Sequence, residues 1–169
     1  LLFSESAIFV LMLEYLWRVY KPDTFFGSAG GRTMGLMLPA ILGAKLAQPE
    51  TPMIGLGGDG STLMRLGELE SFSRTGIAVP LVVINDHAYG TIKARQRYRG
   101  FTPYSLDLHP VDYAQVARAC GLQGVAVKTP DEFAAVIDEA MHARTSTLID
   151  VRIDQEPYWN SFVPTTGVL

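Results

Sequence analysis

Cysteine occurs once in these 169 residues, at Cys120. A lone thiol excludes an internal disulfide and a zinc site built on cysteines. It suits a reducing compartment, so the cytoplasm is the expected location. Charge is also scarce: Asp, Glu, Lys and Arg make up 18% of the chain against 48% hydrophobic residues. That balance excludes intrinsic disorder and a solvated coiled coil. Basic residues are outnumbered 14 to 17, which leaves no positive footprint for nucleic acid. No apolar run is long enough for a bilayer. The most apolar, 7–20, has 14 residues and is broken by Glu14 and Arg18. It also lacks the basic flank and small-residue cleavage site of a signal peptide. The chain has no initiator methionine and begins Leu-Leu-Phe in what reads as a strand, so a domain cut from a longer chain is expected. A helix apolar nearly all round wants burial on every side. Part of that cover for 7–20 is expected from a partner surface, with self-association as the consequence.

What is present alternates. Short β-rich apolar runs at 1–4, 24–27, 52–57, 79–85, 124–127 and 147–153 read as strands. Between them 7–20, 34–47, 61–75, 111–120 and 131–143 read as helices; 61–75 carries Leu63, Leu66, Leu69 and Phe72 at three-residue steps. Val79–Asn85 is apolar on both faces, as a buried parallel strand should be. The expected fold is therefore an α/β domain over 1–169: an open, mostly parallel sheet with helices on both faces. Segment 97–110 reads as a surface excursion, and the tail after Asp154, with Tyr158, Trp159 and Phe162, as a docking arm.

In such sheets ligands bind at the carboxyl ends of strands. Gly55-Leu-Gly-Gly-Asp-Gly60 ends one strand and matches the dinucleotide fingerprint G-x-G-x-x-G. An aspartate in that turn would repel a pyrophosphate unless a cation lay between them. The next strand's acid, Asp86, also falls 26 residues past Gly60 rather than about 20. With Mg²⁺ between Asp59 and a diphosphate, the repulsion becomes a bridge. Magnesium asks for six oxygens. Asp59 offers one, the end of the next strand a second, a loop carbonyl a third, and the diphosphate and water the rest. Backbone N–H groups of Gly60, Ser61 and Thr62 are expected to receive phosphate oxygens.

Gly58-Asp59-Gly60-Ser61, followed 27 residues after Asp59 by Asn85-Asp86, resembles the thiamine diphosphate motif G-D-G…N-N. Ser28-Ala-Gly-Gly-Arg-Thr-Met34-Gly-Leu-Met-Leu-Pro-Ala resembles the companion signature S-G-G-x-G-x-M-G-x-x-L-P-A-A. With Tyr89-Gly90 and Thr147–Val151, the likeness covers nearly the whole chain. It is a likeness to the C-terminal, diphosphate-binding domain of the acetolactate synthase and benzoylformate decarboxylase family. The resemblance implies that Asp59 and Asp86 hold Mg²⁺ by side chains and Ala88 by its carbonyl. It implies cofactor contacts from Gly58, Gly60 and Ser61, and from Gly90 and Thr91 at the start of a helix. Met34 would prop the cofactor into its bent shape, and the backbones of Arg32 and Met34 would bond the aminopyrimidine. The implied reaction is decarboxylation or carboligation of a small 2-oxo acid. The implied activating glutamate lies on an N-terminal pyrimidine-binding domain of a neighbouring subunit, in a homodimer or homotetramer, so this chain alone would hold half a site without a catalytic residue of its own.

Three departures stand out. Asp86 replaces the family's second asparagine and adds a negative charge. Arg32 replaces a glycine. Ala7-Ile8-Phe9 follows Ser4-Glu5-Ser6 where small hydroxyl residues often touch the diphosphate. Two other functions stay open at this point: a nucleotide-dependent oxidoreductase, from G-x-G-x-x-G, and a degenerate assembly module, from the departures. Glu5 reads either as functional or as a helix N-terminal charge. His87, His109 and His142 read as exposed, and Cys120 as an inert buried thiol.

Overall fold

The computed structural model describes residues 1–27, 31 and 33–157, so Arg32 and the aromatic tail Tyr158, Trp159 and Phe162 lie outside the described residues. The strands are β1 (Leu2–Ser4), β2 (Phe25–Phe26), β3 (Ile54–Gly58), β4 (Pro80–Asn85), β5 (Gln123–Val127) and β6 (Thr147–Arg152). The helices are α1 (Val10–Leu16), α2 (Met37–Ala47), α3 (Asp59–Leu63), α4 (Glu68–Thr75), α5 (Gly90–Tyr98), α6 (Tyr113–Ala119) and α7 (Pro130–His142). All strand pairs are parallel, in the order β2-β1-β3-β4-β6-β5.

The pleat sends alternate side chains of β4 to opposite faces. Leu81 and Val83 join Met37, Leu38, Ile41, Leu69, Phe72 and Tyr113 beneath α2, α4 and α6. Val82 and Ile84 turn the other way, to Phe133, Val136, Ile137 and Ala140 of α7. Helices on both faces are thus observed, and the expected sheet is parallel throughout. α7 starts where its capping chemistry says it should. Thr129 Oγ1 accepts from Glu132 N–H at 3.2 Å, Glu132 Oε2 accepts from Thr129 N–H at 3.2 Å, and Pro130 occupies the first turn.

Two helices differ from expectation. The stretch 61–75 is split into α3 and α4, because the chain between them tightens into i→i−3 bonds. Arg65 N–H reaches Thr62 at 3.0 Å and Glu68 N–H reaches Arg65 at 2.9 Å, around the poor helix former Gly67. The apolar stretch 7–20 is helical only over α1. It buries Val10, while Tyr15 is 89% and Leu16 70% exposed, so the expected all-round burial is not met among the described residues. The helix α5 escaped the periodicity reading because Thr-Ile-Lys-Ala-Arg-Gln-Arg carries only a short apolar stripe; Arg95 and Arg97 in its last turn suit the negative end of the helix dipole. Among the described residues no helix is long and apolar enough to cross a membrane.

From β1 the chain leaves through α1 towards β2, and from β3 it leaves through α3 and α4 towards β4 on the other side. Neighbouring strand ends that send their loops in opposite directions open a crevice at the carboxyl edge of the sheet.

Candidate functional site

That crevice is a cleft of about 140 Å³, walled by the segments that follow β1, β3 and β4. Met34, Gly58, Asp59, Gly60, Ser61, Asp86, Ala88, Gly90 and Thr91 all line it. Residues up to 57 positions apart in sequence therefore meet in one place. Arg32 falls outside the described residues. Met34 is half-buried on the wall and takes no part in the apolar core.

Asp59 opens α3 directly at the end of β3. Its Oδ1 accepts from Gly60 N–H at 2.7 Å, while Oδ2 is buried and accepts no hydrogen bond among the described residues. Asp86 follows β4 and repeats the pattern. Its Oδ1 accepts from Ala88 N–H at 3.2 Å, and Oδ2 is buried without a hydrogen-bond partner among the described residues. Burial raises the Asp59 carboxyl to about 7, with the Asp86 charge adding to the rise and N–H groups of Gly60, His87 and Ala88 opposing it. Burial likewise pushes Asp86 up, against the pull of the Ala88 N–H and the charges of Lys93 and His87. Two buried carboxylate oxygens with no hydrogen-bond partner among the described residues cost stability as they stand. A cation shared between them would remove that cost. No group of three or more His, Cys, Asp or Glu gathers among the described residues, so the side chains alone cannot enclose a metal. The cleft offers two carboxylates and leaves other positions for a ligand's oxygens.

The close approach around these acids needs glycine. A side chain at Gly90 would begin 2.5 Å from Asp86 Oδ2, and one at Gly60 would begin 2.7 Å from the Tyr89 ring. Ser61 uses its side chain within the protein. Its Oγ accepts from Gly58 N–H at 3.2 Å and donates to Glu5 Oε1 at 2.7 Å, so the hydroxyl is spent within the protein. The Gly60 N–H expected to meet phosphate is likewise given to Asp59.

Several supports were not legible in sequence. Glu5, 1% exposed, accepts from Leu36 N–H at 2.8 Å and Met37 N–H at 3.1 Å through Oε2. It is indeed a helix N-terminal charge, but for α2, some 30 residues away. Asn85 turns inward: Nδ2 donates to buried Asp150 at 2.8 Å and Oδ1 accepts from His87 N–H at 3.3 Å. His87 sits at φ 57°, a left-handed conformation rare outside glycine, and is half-buried rather than exposed. Tyr113 donates its hydroxyl to the Asp59 carbonyl at 2.9 Å and so ties α6 to the turn. Residues 106–108 run antiparallel to 87–89, with Tyr89 N–H to Leu106 at 2.9 Å and Leu108 N–H to His87 at 2.8 Å. That bridge uses neither Ala88's N–H nor its carbonyl. His109 and His142 are exposed as expected, and Cys120 is half-buried against the core. Gly55 and Gly57 lie inside β3 rather than in the turn, so the literal dinucleotide fingerprint has no phosphate loop behind it.

Residues 8–151 match the family described as "Thiamine pyrophosphate enzyme, C-terminal TPP binding domain". The mitochondrial acetolactate synthase catalytic subunit of Saccharomyces cerevisiae is 34% identical over 145 residues, covering 85% of this chain and 21% of that protein. The sulfoacetaldehyde acetyltransferase of Rhodobacter capsulatus is 39% identical over 146 residues, covering 82% of this chain and 24% of that protein. Among solved structures, the thiamine diphosphate-dependent 4-hydroxybenzoylformate decarboxylase of Rhodococcus jostii RHA1 superposes with a TM-score of 0.83 at 28% identity. That superposition covers 91% of this chain and 29% of the decarboxylase. The chain thus spans about a quarter of the length of the curated relatives it matches. It belongs to the family of thiamine pyrophosphate enzymes, as their C-terminal, cofactor-binding domain.

Proposed function

We propose that this chain binds thiamine diphosphate through Mg²⁺, as one domain of a longer 2-oxo-acid decarboxylase or carboligase in the cytoplasm. The observation that carries the reading is the pair of buried, unpartnered oxygens, Asp59 Oδ2 and Asp86 Oδ2, on one cleft. With Ala88's carbonyl they would give Mg²⁺ three protein oxygens, leaving three positions for diphosphate and water. Gly58, Gly60 and Ser61 shape the wall beside the metal, and Gly90 and Thr91 offer backbone N–H groups at the start of α5. Met34 would support the bend of the cofactor, with the backbones of Arg32 and Met34 on its aminopyrimidine. When bound, the cofactor supplies a thiazolium carbon that attacks a carbonyl and accepts the electron pair released with CO₂. This chain's residues hold, orient and shield that group. Glu5 is committed to α2 and Ser61, so proton movement at the aminopyrimidine falls to a glutamate on an N-terminal domain of a neighbouring subunit. A homodimer or homotetramer follows from that division. The acetolactate synthase relative and the structural likeness to a 4-hydroxybenzoylformate decarboxylase support a 2-oxo acid as substrate.

The test is calorimetric titration with thiamine diphosphate, with and without Mg²⁺, beside NAD⁺ and NADP⁺. Mg²⁺-dependent binding of thiamine diphosphate alone is expected. Binding of a nicotinamide cofactor instead would overturn the reading, and binding of none would favour an assembly module. Decarboxylation of pyruvate or benzoylformate is expected only when the pyrimidine-binding domain is supplied. Turnover by these 169 residues alone would refute the half-site.

A further inference from the structure

Asp86 brings one more negative charge to the cleft than the asparagine of the family motif, next to Asp59 and, on the reading above, a diphosphate. A buried excess of that kind needs a counter-charge. The molecule carries a lysine where one would serve. Lys93 is 6% exposed, although lysine is almost never fully buried without a partner. It lies on α5 three residues after Gly90, and side chains three apart share a helix face. Gly90 is the residue whose missing side chain leaves room for Asp86 Oδ2, so Lys93 stands one turn further along the face that Asp86 packs against. Among the described residues the ammonium group contacts Asp107 Oδ1 and, at 2.9 Å, Gln155 Oε1. Asp107 is 72% exposed on the segment that bridges 87–89, so its own charge is largely hydrated.

We propose that Lys93 is a positioning residue whose buried ammonium group matches the extra carboxylate Asp86, so that the cleft tolerates two aspartates around one cation. The proposal rests on the Mg²⁺–thiamine diphosphate reading. It explains how the departure at 86 is accommodated: α5 brings the compensating charge on the same turn that makes room for Asp86.

A double-mutant cycle decides it, read as the dissociation constant of Mg²⁺–thiamine diphosphate by calorimetry and as the ligand-free melting temperature. Lys93→Met is expected to weaken binding about tenfold beside Asp86, but by less than about twofold in an Asp86→Asn background. Without ligand, the double variant should melt above Lys93→Met. Lys93→Arg, which keeps the charge, should bind within about threefold of the parent. Asp107→Asn, which leaves the lysine in place, should bind within about twofold. Equal losses in both backgrounds, or a loss from Asp107→Asn as large as from Lys93→Met, would overturn the proposal in favour of simple pinning of 106–108. If Lys93→Met does not fold, Lys93→Gln in the two backgrounds carries the same comparison. A parent protein that binds no thiamine diphosphate with Mg²⁺ would overturn the cofactor reading instead, so the two failures are distinct.

Discussion

Leu81, Ile41 and Phe72 under the sheet and Asp59, Glu5 and Asp86 at its carboxyl edge are equally dry, all between 0% and 5% exposed. The first set gains from that: each apolar side chain leaves water and meets close-packed neighbours, contributing roughly 1.5–3 kcal/mol. The second set loses. Burial raises all three acids, and only Glu5 has both oxygens occupied by donors. The contrast teaches that burial alone does not mark a structural residue. The core is buried because that stabilises the chain. The cleft is buried in spite of what that costs, and the deficit measures what a ligand can return.

The comparison can be broken at several points. The largest effect is expected from Asp59→Ala, which should remove Mg²⁺-dependent thiamine diphosphate binding altogether while raising the ligand-free melting temperature. Equal cofactor affinity in variant and parent by calorimetry would sink the metal assignment. Leu81→Ala, in the core, should do the reverse. It is expected to cost about 3 kcal/mol in denaturant unfolding and to leave the increment of stabilisation by saturating cofactor unchanged.

The pH dependence sharpens the same contrast. Asp59 holds its proton more tightly folded, near 7, than unfolded, where the ordinary value is 3.8. The native state therefore binds more protons across that window, and stability must fall as pH rises through it and level off above it. Asp86 and Glu5 shift in the same direction. Thermal melts of ligand-free protein from pH 4 to 8 should follow that curve, and Mg²⁺ with cofactor should flatten or reverse it. A rise in ligand-free stability over the window would contradict the unpaired state of these acids.

Asp86→Asn is a smaller change, because Lys93 already offsets the extra charge. Cofactor binding should tighten by no more than about threefold, and by more once Lys93 is replaced. The smallest effect belongs to α1. Tyr15 and Leu16 are apolar but exposed, so Leu16→Ser should alter the monomer's stability by within about 0.5 kcal/mol. A larger loss, appearing only at concentrations where the chain self-associates, would show that this face meets a partner.

Much of this was legible in one dimension. Strand–helix alternation named the sheet, since a parallel strand buried on both faces must be apolar throughout, as Val79–Asn85 is. The spacing of Asp59 and Asp86 pointed to one candidate cleft because each acid follows a strand end, and strand ends converge on one edge whatever the loops do. What the sequence could not show was which partner each buried group finds. Glu5 meets the start of α2, Asn85 meets Asp150, and Lys93 shares a helix face with the glycine beside Asp86. Nor could composition distinguish α1 from α2. Both are apolar, yet α2 lies under the sheet and α1 lies open. Periodicity is a property of neighbours in sequence, and it fixes what an element needs to bury. Strand order decides what covers it, because hydrogen bonds and contacts between distant segments form only once the chain has folded back on itself.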